Sequence, residues 1–461
     1  MKSRTHFGAS LLILAVVSQG YYSLAQSVST VYSFAGQNSS GFPNYVTLTQ
    51  GRDGNLYGTT FGSSKTTGTV FKMKITGATA HVSTIYTFGS DGSNPLGGLT
   101  LATDGNFYGT TFYGGASNVG VLFKLSPRGT YTVLHEFVGG SDGASPVAPP
   151  VEASDGNLYG ATMGTGFAST VYKYTINGGT YSTIYDFSSA NGEAVQGPLI
   201  EGSNGHLYGA AFLGGLNGFC GTLFELTKTG SLVWSYEFPC GSGGQSPWAL
   251  TQTDSGTFYG ATFEGGGQLN CGSIFEVGPT GNVSILYAVQ SYADGCNPET
   301  ALTSGTDGNL YGIIPFSGKH DGGTLFRVTQ SGDFDLLNSF GASGNTPLAA
   351  PMQDTNGIFY GTTSSGGKYN SGTIYSYNAG LAPFVTFVLS VGKVGQSAQI
   401  LGQGFTGTTS VTFNGVPATS FKVVSDTYMT AVVPADATTG PVVVTTPGGK
   451  LTSNVSFRIS K

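Results

Sequence analysis

Apolar residues along the chain fall in short bursts of strand length. They do not recur at the i, i+3, i+4 spacing of a helix after the first 25 residues. Four kinds of burst repeat in fixed order. VSTVYSF, Val28 to Phe34, is echoed by VSTIYTF from Val82, YTVLHEF from Tyr131, YSTIYDF from Tyr181 and VWSYEF from Val233, with weaker members at Ile285 and Leu336. A Gly/Ser/Asn loop follows each and ends in proline: Pro43, Pro95, Pro146, Pro198, Pro247, Pro298 and Pro347. Proline suits a strand entrance, where no ladder donor is needed. A short apolar segment comes next, such as Leu99 to Ala102, and then DGNLYGTT or a close variant. A loop of the form FxGGxxxxG leads to the fourth burst, GTVFKM from Gly68 and its counterparts at Gly120, Ser169, Gly221, Gly272, Gly323 and Gly372.

The eight-residue stretch begins at Asp53, Asp104, Asp155, Asn204, Ser255, Asp307 and Asn356, at intervals of 51, 51, 49, 51, 52 and 49 residues. Its Asp-Gly pair supplies the positive φ of a tight hairpin turn. Each unit therefore reads as a four-stranded antiparallel meander, with strand A after the proline, B at LYGTT, C at GTVFK and D at the YxF burst. Adjacent Leu56 and Tyr57 are both apolar, which suits a blade packed on both faces. The second glycine is expected to let the neighbouring blade approach. Seven meanders predict a seven-bladed β-propeller. The first D strand precedes every A, and none follows the last C at Tyr377, so Val28 to Phe34 should complete the seventh blade and remove two raw edges. An open solenoid would want polar end caps, which the sequence lacks.

The period stops at Pro383. Short apolar runs at 398–401, 411–413, 430–433 and 442–446 alternate with Gly- and Pro-bearing turns, the pattern of a small immunoglobulin-like β-sandwich. The organisation read from the chain is a leader at 1–25, a propeller at 26–381 and a sandwich at 382–461. The leader reads as a secretory signal: Lys2 and Arg4, an apolar run from Leu11 to Val17, and Ser23-Leu24-Ala25 before the cut. Its loss leaves 16 basic against 24 acidic residues, a net charge of −8. That balance argues against nucleic acid or an anionic membrane surface as partner. No second apolar run is long enough to span a bilayer, so no membrane insertion is expected once the leader is removed.

Two resemblances add to this reading. Gly402 to Gly449, with its GxGF, VTFNG, TAVVP and GPVVVTTPGG segments, resembles the IPT/TIG family of immunoglobulin-like domains. In exported bacterial proteins such domains look like spacers or adhesive modules, and the family brings no catalytic residues. Val28 to Tyr377 is similar to the GloVer tandem-repeat family of exported bacterial proteins, whose hallmark is the GNLYGTT…GG…GTVFK unit. That similarity implies export and surface display and carries no established activity. Its members often end in a sorting anchor, and no hydrophobic tail precedes Lys461.

Four cysteines in an exported chain read as disulfides, with three connectivities open. Counting outward from the Thr229-Gly230 turn sets Cys220 opposite Pro239, which favours Cys220–Cys240 and leaves Cys271–Cys296. Function is expected on the face carrying the long D–A and B–C loops. Aromatic candidates there are Phe42, Phe61, Phe112, Tyr113, Phe167, Phe263, Phe316 and Tyr369, with Trp248 at the start of a strand A. Such rings could bind sugar or peptide faces with Asn and Ser as donors, although recurrent Phe also suits loop packing. Acidic and histidine residues at non-repeating positions are Asp91, Asp142, Glu193, Glu264, Asp294, His320 and Asp321. Glu264, Asp294, His320 and Asp321 are the weak catalytic candidates, for glycoside cleavage or a lyase base. No calcium loop, P-loop, nucleophile elbow or zinc motif is complete, so no cofactor or metal is expected. The expected function is non-enzymatic: a secreted or cell-surface propeller binding glycan or extracellular protein, or a structural scaffold. The alternative is a secreted carbohydrate-active lyase or glycosidase.

Overall fold

The recurrent bursts all become strands. The computed structural model describes residues 27–35, 41–62, 66–77, 79–216, 218–278 and 281–460, so the leader read at 1–25 lies outside them. In the first repeat, A is Thr49–Gln50, B Leu56–Thr60, C Thr69–Thr76 and D Thr79–Thr87, hydrogen-bonded in that order. Five further sheets repeat the order. A seventh joins Met352–Gln353, Phe359–Thr363 and Thr373–Tyr377 to Val28–Ser33, which pairs Val28 with Tyr377 and Ser33 with Thr373. Across the seam Tyr360 and Ile374 pack with Val46, Leu48 and Leu56, and Thr362 Oγ1 donates to Val46 O at 2.9 Å. The sheets thus close into a propeller-like ring.

Strand B is buried throughout. Leu56 faces the seventh blade and Tyr57 the second, where its ring meets Phe107 at 4.3 Å. Each such side chain taken from water contributes about 1.5–3 kcal/mol. The Tyr57 hydroxyl needs a partner at the blade end, and Asp53 Oδ2 accepts from it at 2.8 Å. The same bond joins Asp104 to Tyr108, Asp155 to Tyr159 and Asp307 to Tyr311. Asp53 also accepts from Asn55 N at 3.2 Å, and Lys72 Nζ lies 2.6 Å away. Burial pushes the Asp53 carboxyl up, but the bonds from Lys72, Asn55 and Tyr57 outweigh it and hold the group below its ordinary value. The motif aspartate therefore forms the turn and anchors the tyrosine four residues on.

The second glycine has a different task from the expected one. Gly58 pairs across the sheet with Phe71 of its own blade, and a Cβ there would stand 2.6 Å from the Phe71 ring. Gly109 meets Phe123 and Gly260 meets Phe275 in the same way. Neighbouring blades approach instead at the C–D turn. A Cβ on Gly129 or Gly230 would collide with the carbonyl oxygen of Ile85 or Ile184 in the preceding blade. Those two residues are the extra member of a bulge in strand D: Val70 pairs with Tyr86 but Phe71 with Thr84, skipping Ile85. Bulges sharpen local twist, and this one explains two consecutive apolar residues in the outer strand.

Polar side chains at the end of strand A tie five of the blades to the one before. Gln50 donates to Thr355 Oγ1 at 2.8 Å across the seam, Glu152 accepts from Thr103 N at 2.7 Å, and Glu201 accepts from Ser154 N at 2.8 Å. Gln252 and Gln353 accept from Ser203 N and Thr306 N. Each is worth on the order of 1 kcal/mol net.

The C-terminal unit is a two-sheet sandwich. One sheet has the order Thr386–Phe387, Ser397–Leu401, Tyr428–Val432, Phe421–Ser425. The other runs Val416–Pro417, Ser410–Phe413, Val442–Thr446, Gly449–Thr452. Ile400, Phe413, Met429, Val444 and Phe457 fill the space between them. The unit is docked on the tight-turn face, not held away as a spacer. Arg52 Nη2 donates to Gln399 Oε1 at 2.6 Å with its guanidinium 4.8 Å from the Tyr428 ring centre. Arg458 Nη1 donates to Gly202 O at 2.8 Å, Asp254 accepts from Ser456 Oγ at 2.9 Å, and Gln403 donates to Thr355 at 3.0 Å. Contacts to the first, fourth, fifth and seventh blades span the ring, so the sandwich covers much of this face.

Two outcomes test the packing. Gly109→Ala places a methyl against the Phe123 ring and should cost about 1–3 kcal/mol in urea unfolding; a neutral or stabilising result, as strand propensity alone would give, contradicts the ring-over-glycine contact. Beside the docking contact, Asp354 is fully buried, and burial pushes its carboxyl up to about 7 against the lowering bonds from Thr355 and Asn356 N–H. A raised carboxyl destabilises once ionised, so its contribution is intact below about pH 4 and is lost as pH rises through about 7. Asp354→Asn should therefore gain on the parent in thermal melts between pH 5 and 8, by at most about 4 kcal/mol. A pH-independent gap contradicts the burial argument.

Candidate functional site

In each meander the D–A and B–C loops leave from one end of the blade. Short bridges zip them together: Phe42 with Phe61, Ser93 with Tyr113, Glu193 with Leu213, Cys296 with Phe316 and Asn345 with Ser365. Asn118, Asn270 and Asn370 accept from Gly114, Gly265 and Gly366 N–H at 2.9–3.1 Å, so these amides brace the loops and their oxygens are already engaged. Both expected disulfides are present, with Cα separations of 5.4 Å for Cys220–Cys240 and 4.6 Å for Cys271–Cys296. Each links a B–C loop to the next D–A loop. The rim is thus a stiff collar.

The aromatic candidates divide into three groups. Tyr113, Phe316 and Tyr369 stand exposed on the rim, at 42, 41 and 49% of full accessibility. Phe61 and Phe112 are half-buried against Phe42 and Tyr113, and Phe263 is half-buried with Phe212 at 5.6 Å. Trp248 is buried in strand Gln245–Gln252 at the channel mouth. Phe167 lies in the 3-10 turn Thr165–Phe167, and its side chain falls outside the described residues. Leu216, Phe219 and Tyr292 also stand exposed on the rim and were missed. Their only sequence signal is their place in loop stretches that no other repeat shares.

Three of the four weak catalytic candidates are held by separate partners. Glu264 Oε2 accepts from Gln245 Nε2 at 2.5 Å, and Asp294 Oδ2 accepts from Tyr287 OH at 3.1 Å. His320 is exposed, with its ring Nδ1 3.3 Å from Ser339 O and its backbone N–H donating to Ser339 Oγ at 3.2 Å; Asp321 is exposed beside it. None of the four lines the channel cavity. Among the described residues no cluster of three or more His, Cys, Asp or Glu is placed to hold a metal ion.

At the ring centre lies a cavity of about 280 Å³ walled by strand A residues of all seven blades. In four blades its mouth is set by the residue after the loop proline, where the copies differ: Val147, Trp248, Glu299 and Leu348. In the fourth blade the equivalent of the proline is Val195, following Ala194 at φ 55°, so Gln196 takes the mouth position and Pro198 lies further down the strand. Tyr45 crosses the mouth from the first blade. Its ring stacks on Trp248 at 5.2 Å and 14°, and its hydroxyl donates to Glu299 Oε2 at 2.9 Å. Phe212 meets Trp248 edge-on at 5.8 Å. Burial, and then the Glu299 charge, drive the Tyr45 phenol far above its ordinary value; burial raises Glu299 while the Tyr45 bond pulls it back. Tyr45 and Glu299 were not singled out from the sequence, because neither matches a motif.

No curated protein matches the chain in sequence. In fold it is similar to the extracellular domain of a hybrid two component system from B. thetaiotaomicron, with TM-score 0.50 and 12% identity over 93% of this chain and 57% of that one. A second such extracellular domain from the same organism gives TM-score 0.52 and 9% identity over 95% and 60%. The chain therefore spans about three-fifths of those two structures, and the likeness shows a propeller-like all-β fold alone. A fungal alcohol oxidase of the AA5 family in complex with copper lies at TM-score 0.49 and 13% identity, over 94% of this chain and 100% of that one, and carries no argument. The model of the Gloeobacter/Verrucomicrobia repeat matches residues 43–242 and 219–421, most of the chain, with the LYGTT and GTVFK strands of all seven sheets inside the match, and the chain belongs to that repeat family.

Proposed function

We propose that this protein is an exported binding protein, secreted or held at the cell surface, whose long-loop rim recognises glycan. The observation that carries this reading is an asymmetry of faces. The tight-turn face is covered by the sandwich through Arg52, Asp254, Arg458 and Gln403, while the opposite face presents Tyr113, Phe219, Tyr292, Phe316 and Tyr369 to solvent. Exposed rings on disulfide-stapled loops offer flat apolar surface at little entropic cost, which suits sugar faces. Two disulfides favour an oxidising compartment, and the leader read at 1–25 supplies the route there. Among the described residues no helix is long and apolar enough to cross a membrane. The C-terminal unit, read as IPT/TIG-like, then serves as a fixed base under the ring. Separate partners for the Glu264, Asp294 and His320 side chains favour binding over turnover.

The test is a polysaccharide and glycan array probed with the chain from Gln26, with product release followed in parallel. Binding without cleavage is expected. The combined Tyr113→Ala, Phe316→Ala and Tyr369→Ala variant should weaken it about tenfold or more, since each stacked ring contributes on the order of 1 kcal/mol. Undiminished binding by that variant contradicts the rim assignment, and steady product release contradicts the non-enzymatic reading.

A further inference from the structure

We propose that the central channel is a second, separate binding site for one small uncharged ring compound, with Trp248 as its platform and Tyr45 as a displaceable cover. Three independent observations converge on it. The cavity, about 280 Å³, falls just below the range that holds drug-sized ligands, roughly 300–1,000 Å³, which suits a single small ring. Its walls are mostly apolar, with Leu99, Val147, Leu302 and Leu348 among them. No lysine or arginine lines it, and the one carboxylate at its mouth, Glu299, is taken up by the Tyr45 hydroxyl, so an ionic ligand inside would lack a free counter-charge, at high desolvation cost. Gln196, Thr47 and Thr300 supply an amide and two hydroxyls for orientation.

The second observation is the backbone of Tyr45. Six loops hold one non-glycine residue at positive φ directly before the proline position: Asn94, Ser145, Ala194, Ser246, Asn297 and Thr346. The first blade instead carries its left-handed residue two places after Pro43, and that residue is Tyr45, at φ 54°. Leu48 stands five residues beyond Pro43, where Leu99 and Leu302 stand four beyond Pro95 and Pro298. One extra residue thus projects a bulky side chain from a conformation that disfavours it. Strain of this kind persists where the surroundings hold it in place, and it marks functional sites.

The third is what Tyr45 touches. It covers the Trp248 ring from across the channel and is tethered at its far end by a single bond to Glu299. A planar ring on Trp248 is therefore already supplied by the chain itself, and a ligand ring of similar size would take its place or lie beneath it.

The chain has two tryptophans, Trp234 and Trp248, so indole emission reports on the site. The experiment titrates the chain from Gln26 with methyl glucoside and with benzyl alcohol as neutral probes of the two ring classes. Glucuronate and glucosamine are the charged controls. One neutral probe should change the emission saturably and the charged pair should not. Tyr45→Ala, which removes the cover, should tighten that binding about threefold or more. Trp248→Phe should retain part of the affinity, measured by calorimetry, and Trp248→Ala should lose it at least tenfold with an unchanged melting profile. The Tyr113/Phe316/Tyr369 variant should leave the channel titration intact, which separates this site from the rim. The proposal is overturned if neither neutral probe binds even Tyr45→Ala, if the charged controls bind as well as the neutral pair, or if both Trp248 variants bind as the parent does.

Discussion

Strand B has two apolar faces and no free one. Leu56 and Tyr57 are both completely buried, one toward the last blade and one toward the second, and the pattern recurs through Phe359 and Tyr360. A blade of this kind cannot stand at the end of a stack without exposing a full row of large side chains. The consequence is closure. Val28–Ser33 supplies the outer strand of the blade that would otherwise end in an open edge at Thr373–Tyr377. The result is an annulus whose long loops point one way and whose tight turns point the other.

Much of this was legible in the residues because it depends on residue type at a fixed period. Alternating turn and apolar signals gave the strands, and counting them placed the seam. What escaped the sequence is geometry that changes pairing without changing composition. The bulge at Ile85 is one skipped residue in a ladder, and the same apolar letters would serve an unbulged strand. Gly58 looked like a blade–blade contact, yet Phe71 of its own sheet occupies the space, a cross-strand relation that depends on register. Pro198 resembled the other loop prolines by spacing, although Val195 holds that place in space. Docking of the sandwich rests on scattered single residues, Arg52, Asp254 and Arg458, none of which forms a motif.

The site was less legible than the scaffold for the same reason. A repeat makes its conserved letters visible, and those letters are structural: Asp53 anchors Tyr57, and Gly58 receives a ring. The proposed recognition residues lie where the copies disagree: the mouth residues Gln196, Trp248 and Glu299, the inserted Tyr45, and the rim residues Phe219 and Tyr292. Sequence could name the exposed Tyr113 and Phe316, two residues past strand B, and Tyr369, further along the same kind of loop, because the repeat marks where each B–C loop lies. It could not say that Tyr45 reaches across the ring to Trp248, since the two are joined only by closure.

Ring closure by the N-terminal strand is the claim on which the rest stands, and a truncation tests it most directly. A chain beginning at Ala35 lacks Val28–Ser33 and uncovers both the Thr373–Tyr377 edge and the flank of the first blade. The account predicts loss of the single cooperative melting transition, self-association through the bared strand, and recovery when a peptide of residues 27–35 is added. A truncated chain that melts cooperatively within about 2 °C of the parent, monomeric and indifferent to the peptide, would contradict it, since each kcal/mol lost shifts the midpoint of even a large domain by roughly that much.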